Sequence, residues 1–128
     1  MKYVYHEGGR LESTHRKEGK SAKSTDCVLR AISLALDIPY DEVWEFKLPL
    51  GYDDDMKLEE IAREFGHEIN RIQTIKKGQK KRMTAHCMPA KGRFILRQAK
   101  HWVALVDGKL LDTWDSSSRC IYYAWEIK

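Results

Sequence analysis

Three side chains far apart in this sequence have the types and surroundings that thiol chemistry needs. Cys27 stands in Ser24-Thr25-Asp26-Cys27-Val28-Leu29-Arg30-Ala31, where polar capping residues give way to an apolar run. His101 and Asp112 stand in His101-Trp102-Val103-Ala104-Leu105-Val106-Asp107-Gly108-Lys109-Leu110-Leu111-Asp112-Thr113-Trp114, two apolar runs around an Asp-Gly pair. A thiol, an imidazole and a carboxylate supply a nucleophile, a general base and a group that orients the base. If folding brings them together, the chain is a cysteine-nucleophile enzyme.

The elements around them are readable. From Cys27 to Leu36 the only polar positions after the cysteine are Arg30 and Ser33, and Asp37 completes the stripe at spacings of three and four. That pattern predicts a helix with one narrow polar face, buried on most of its circumference. Ser24, Thr25 and Asp26 all suit an N-cap, which puts Cys27 in the first turn. There the helix dipole favours thiolate over thiol, and the Cys27 N–H is free to donate to an oxyanion.

Asp107-Gly108 between two apolar runs is a strong hairpin signal. A two-residue loop pairs Val106 with Lys109, Val103 with Asp112 and His101 with Trp114. His101, Val103 and Leu105 then share a face with Leu110, Asp112 and Trp114. His101 and Asp112 become diagonal neighbours, roughly 7–8 Å apart at the backbone. Both strands are apolar on both faces and so belong inside a sheet. A carboxylate there requires a partner, and imidazole is the one on its face.

Each residue also has a plain structural reading. A cysteine opening an apolar helix is more often a small core residue, a strand histidine is more often a satisfied core or edge residue, and an aspartate after a strand can cap a turn. It is the combination, in this order and on these faces, that points to a site.

Around this centre, Lys2 to Tyr5 reads as a short strand within a polar, basic N-terminal arm over residues 1–24. Pro39 to Trp44 reads as a short second helix with proline in its first turn. Asp53-Asp54-Asp55 caps a third, Met56 to Phe65, in which Leu58, Ile61, Ala62 and Phe65 share a face and Gly66 ends the run. Ile69 to Ile75 alternates weakly, Lys76 to Arg82 is a basic loop, and Phe94 to Arg97 and Cys120 to Ile127 complete the strands. Helices first and antiparallel strands afterwards indicate α+β, with the helices packed on a C-terminal antiparallel sheet.

With 128 residues the chain makes one domain with one core. Its formal charge of +4 is modest and by itself names no partner. No run approaches the roughly eighteen apolar residues of a membrane span, and the N-terminus has no apolar stretch of signal-peptide length; a cytoplasmic protein is expected. Cys27, Cys87 and Cys120 are odd in number and widely spaced, so no disulfide framework is expected. His86-Cys87 has no second spaced pair to make a zinc site, and no cofactor is implied.

Cysteine heading a buried helix, then histidine opening a strand, then a carboxylate on the next strand followed by Thr-Trp, resembles the papain-like cysteine peptidase fold. Asp112-Thr113-Trp114 is similar to that clan's Asn-Ser-Trp. More closely, Thr25-Asp26-Cys27-x-x-Arg30-Ala31-Ile32 with residues 101–115 is similar to small uncharacterised papain-like proteins of phages and bacteria. The likeness spans residues 20–46 and 92–115. It implies Cys27 as nucleophile, His101 as base, Asp112 as orienter and Trp114 as a shield over the base–orienter contact. It also implies a host-cytoplasm setting if the chain is phage-encoded. Two features depart from the family: the glutamine expected about six residues before the cysteine is replaced by Ser21, flanked by Lys20 and Lys23, and the chain has no room for a full second lobe. Ser21 is the candidate second oxyanion donor beside the Cys27 N–H.

The expected activity is hydrolysis of a peptide or isopeptide bond in a protein substrate through an acyl-enzyme. Acyl transfer to an amine, as in transglutaminase-like proteins, uses the same three residues. A non-catalytic adaptor binding a host protein or nucleic acid is the contrasting expectation, motivated by Lys76 to Arg82, the basic arm, and the aromatics Tyr3 and Tyr5.

Overall fold

A computed structural model describes residues 1–8, 26–44, 55–74 and 82–128. Six strands and three helices follow in the order β1 Lys2–Tyr5, α1 Asp26–Leu36, α2 Tyr40–Trp44, α3 Asp55–Glu64, β2 Ile69–Ile72, a 3-10 turn Ala85–Cys87, β3 Arg93–Gln98, β4 His101–Val106, β5 Lys109–Asp112 and β6 Tyr123–Ile127. The class is α+β, as the run of helices before strands indicates.

One sheet contains all six strands in the order β1-β5-β4-β3-β6-β2. It is mixed, which corrects the expected antiparallel sheet: β1 lies parallel to β5, with Lys2 opposite Lys109 and Tyr5 opposite Asp112. The physical reason is edge satisfaction. Without β1, the outer backbone groups of β5 face no strand, and the short Lys2–Tyr5 run supplies their partners. The short strand read at Lys2 to Tyr5 within the N-terminal arm is thus present, as the edge strand of the sheet. The remaining expected arm, through residue 24, lies outside the described residues, as do most of the basic loop and the expected caps Ser24, Thr25, Asp53 and Asp54.

Alternation along the strands sorts their side chains onto two apolar faces. On one, Ile95, Trp102, Ala104, Trp125 and Ile127 pack against α1, α2 and α3 through Val28, Leu29, Ile32, Leu36, Val43, Leu58 and Ile61. On the other, Phe94, Leu96, Val103, Leu105, Leu110 and Ala124 are covered by Ala85, Met88 and Ile121 from the connecting segments. Trp102 and Trp125 meet with ring centroids 5.2 Å apart, against the helix layer.

Turn chemistry fixes the registers that matter for the site. Asp107 (φ 49°) and Gly108 (φ 77°) both take left-handed conformations, as a two-residue hairpin loop requires. Val106 accordingly pairs with Lys109, Leu105 with Leu110 and Ala104 with Leu111. Helix α1 stops where Asp37 turns left-handed (φ 56°). Arg93 donates from Nη1 to the carbonyls of Leu34 (3.1 Å) and Ala35 (3.3 Å), satisfying acceptors that the helix end leaves open.

Candidate active site

The site forms where the N-terminus of α1 meets the open ends of β4 and β5. Cys27 is the second residue of α1, in its first turn and buried. His101 is the first residue of β4 and Asp112 the last of β5, so both stand at the same end of the hairpin. Both are buried, Asp112 to 1 % exposure. A carboxylate that far from water requires its oxygens to be used.

They are used. His101 Nε2 contacts Asp112 Oδ2 in a short hydrogen bond. Asp112 Oδ1 accepts from Arg30 Nη1 at 2.9 Å and from the Thr113 backbone N–H at 2.7 Å. Arg30 Nη1 also lies 3.4 Å from Thr113 Oγ1. With Nε2 turned to Asp112, Cys27 is near enough for its side chain to influence the protonation of His101. The three residues singled out by sequence spacing are brought to one site, with His101 and Asp112 in direct contact and Cys27 acting on the imidazole.

The pairing geometry differs from the extended ladder that the hairpin predicts. Strand pairing stops at Ala104–Leu111, so the rungs Val103–Asp112 and His101–Trp114 do not form. The reason is local: Thr113 N–H turns back onto Asp112 Oδ1, and the chain leaves the strand direction at that residue. The diagonal contact between His101 and Asp112 survives because the turn at Asp107-Gly108 already fixes it.

Burial disfavours a charged His101, yet its hydrogen bond to the Asp112 carboxylate, the influence of Cys27 and the negative charge of Asp112 outweigh it and raise its pKa from 6.5 to about 9. A second consequence follows from counting charges. Arg30 and Asp112 cancel, so moving a proton from Cys27 to His101 leaves the buried cluster neutral.

Trp114 covers the imidazole, with ring centroids 4.7 Å apart, while remaining 41 % exposed itself. It is in turn overlain by Arg119, whose guanidinium carbon is 5.6 Å from the ring centre. Ser21, the candidate second oxyanion donor, lies outside the described residues.

Two buried polar residues at the site were not singled out by the sequence reading. Arg30 appeared in the polar stripe and in the motif of the family resemblance but was given no role; its signal was an arginine three residues after the cysteine, on the same face of an otherwise apolar helix. Gln98 sits opposite His101 across the β3–β4 hairpin and donates from Nε2 to the Ser116 carbonyl at 2.9 Å, tying the segment after Trp114 to the sheet. Nothing in its neighbourhood in sequence announces this.

Tyr3 is a correction. It is half-buried and its hydroxyl donates to the Asp112 backbone carbonyl at 3.2 Å, so it is a strut behind the site rather than an exposed stacking surface; Tyr5 is exposed. Cys87 and Cys120 are exposed free thiols. Among the described residues, no group of three or more His, Cys, Asp or Glu side chains is placed to hold a metal ion, and no helix is long and apolar enough to cross a membrane. No protein-family model, curated protein or solved structure matches the chain.

Proposed function

We propose that this chain is a papain-like thiol hydrolase of the cytoplasm that cleaves a peptide or isopeptide bond in a protein substrate. The observation that carries the reading is the buried His101–Asp112 contact beside Cys27, which lies in the first turn of α1. Cys27 passes its proton to His101, and the thiolate sulfur forms a bond to the substrate carbonyl carbon. The negative charge that develops on the carbonyl oxygen is met by the Cys27 N–H in the first turn of α1, with Ser21 as the second candidate donor. His101 then protonates the leaving amine as the C–N bond breaks, giving a thioester. A water, deprotonated by His101, attacks the thioester and regenerates Cys27.

Asp112 and Trp114 act on His101 rather than on substrate. The carboxylate fixes the ring by one nitrogen, and Arg30 fixes the carboxylate. The indole keeps water from competing for the Nε2–Oδ2 contact.

The test is to trap the acyl-enzyme with a peptide activated ester and weigh the intact protein. The expected result is one acyl group, mapped to Cys27, that disappears with hydroxylamine and is absent in Cys27→Ala. No adduct on the folded protein, or the same adduct on Cys27→Ala, contradicts the reading. An amine added to the reaction reports acyl transfer directly, as a ligated product in place of the free acid.

A further inference from the structure

At the far edge of the sheet, β2 and β6 frame a second feature that hydrolysis does not use. Arg71 lies over the Tyr123 ring at 3.8 Å to the centroid, Arg97 approaches the same ring at 5.1 Å, and Arg82 lies over Tyr122 at 5.0 Å. The backbone there is locked: Thr74 Oγ1 donates to the Tyr122 carbonyl at 3.0 Å, and Arg82 Nη1 donates to it at 3.3 Å. Arg71, Thr74, Arg82, Tyr122 and Tyr123 line an open groove of about 260 Å³. That is below the ~300–1,000 Å³ of pockets that engulf a small ligand, and suits a chain lying across it.

Along the sequence, the stretch that supplies β2 and Arg82 is one-sided in charge, with Glu126 of β6 standing opposite Asn70. Residues 69–106 hold ten of the 23 Lys and Arg and none of the 19 Asp and Glu, so the rest of the chain carries thirteen cations against nineteen acids. Arg82 Nη1 lies 3.5 Å from Thr74 Oγ1, and Lys76, Lys77, Lys80 and Lys81 stand between these two residues in sequence, outside the described residues. Arg71 and Arg82 form no ion pair with any described carboxylate. Guanidiniums held against aromatic rings lose little freedom on meeting a planar, multi-oxygen anion, and Arg82, whose Nη1 donates to the Tyr122 carbonyl, is further fixed in place.

We propose that this groove binds single-stranded nucleic acid, with Arg71 and Arg82 on phosphates and the exposed face of Tyr122 stacking a base. Nucleic acid is favoured over an acidic peptide because the groove offers flat π surfaces beside each cation, which a run of carboxylates does not use and successive bases do. Between β2 and the site at β5 stand β6, β3 and β4, so the surface is independent of Cys27.

The experiment is fluorescence anisotropy of a labelled oligo(dT) and oligo(U) of about a dozen nucleotides, at about 50 and 200 mM salt. The intact protein is expected to bind both, more weakly at the higher salt. Arg71→Glu with Arg82→Glu is expected to weaken binding tenfold or more and to flatten the salt dependence. Tyr122→Leu is expected to weaken the oligonucleotides fivefold or more while leaving binding of inorganic polyphosphate unchanged. Cys27 alkylation rates and melting curves equal to those of the unaltered protein verify that each variant is folded. If a variant fails that check, Arg71→Gln and Arg82→Gln are measured in its place. No binding at the lower salt, binding unaffected by the arginine changes, or displacement by polyglutamate as readily as by unlabelled oligonucleotide overturns the proposal.

Discussion

Asp112 uses both carboxylate oxygens, and the two sides do different work. Oδ2 orients His101, while Oδ1 holds Arg30, itself only 7 % exposed. Asp112→Ala therefore leaves a buried guanidinium without its carboxylate as well as an unanchored imidazole. It is expected to lower unfolding free energy by about 3–5 kcal/mol, the range for breaking one side of a buried pair. Asp112→Asn keeps an acceptor oxygen for the ring but removes the charge that balances Arg30, so it costs less than alanine while still costing stability. Urea denaturation of the two variants checks the order, and equal losses would remove the ion-pair role. Arg30→Met probes the same link from its other end: His101 then has one cation fewer nearby, and its titration, followed by NMR of the ring protons, is expected to move upward in pH. A downward or absent shift contradicts the coupling.

At the scale of elements, the N-terminal segment supports the site from behind. β1 pairs with β5 along its length, Tyr3 reaches the Asp112 carbonyl, and the chain then crosses α1 at Gly8. Gly8 has φ +69°, and a Cβ built there falls 2.8 Å from Arg30 Cγ and 3.1 Å from Arg30 Cα. Gly8→Ala thus combines a disfavoured backbone region with a clash against the residue that holds Asp112. It is expected to cost about 1–3 kcal/mol and to slow alkylation of Cys27, measured as a rate on the folded variant. An unchanged rate together with lowered stability would confine Gly8 to a packing role. For the same reason, deletion of residues 1–8 tests the fold and not substrate recognition. The difference in legibility between these elements has a physical origin. The β4–β5 hairpin was readable because Asp107-Gly108 specifies its turn over two residues, and α1 because its apolar period is unbroken. The β1–β5 pairing joins residues more than a hundred positions apart through backbone groups that every sequence has, so four residues of alternating type announce a strand and not its neighbour. The early end of the β5 ladder depends on one hydrogen bond, from Thr113 N–H, which no periodicity encodes.

For the whole molecule, the titration of His101 links the site to global stability. Its pKa is about 9 folded and 6.5 unfolded, so the folded state binds more protons between these values. The stabilisation is complete below about pH 6.5, declines as pH rises through the window, and is gone above about pH 9. Denaturant midpoints measured from pH 6 to 10 are expected to fall for the unaltered protein relative to His101→Gln; a constant difference across that range contradicts the raised pKa. The α+β class and the Cys-His-Asp meeting were legible because order of elements and turn register determine them. Arg30 and Gln98 were not, since each acts through a tertiary partner distant in sequence.

The central claim is that Cys27 is activated by His101, and accessibility makes it directly testable. Cys27 is 5 % exposed, whereas Cys87 and Cys120 are exposed, so exposure alone ranks Cys27 last. The measurement is the alkylation rate of each thiol by iodoacetamide at pH 6, resolved by peptide mass spectrometry, in the unaltered protein and in His101→Ala. The account predicts that Cys27 reacts fastest and that His101→Ala removes this advantage while Cys87 and Cys120 are unaffected. Faster reaction at Cys87 or Cys120 in the unaltered protein, or a Cys27 rate indifferent to His101, contradicts it.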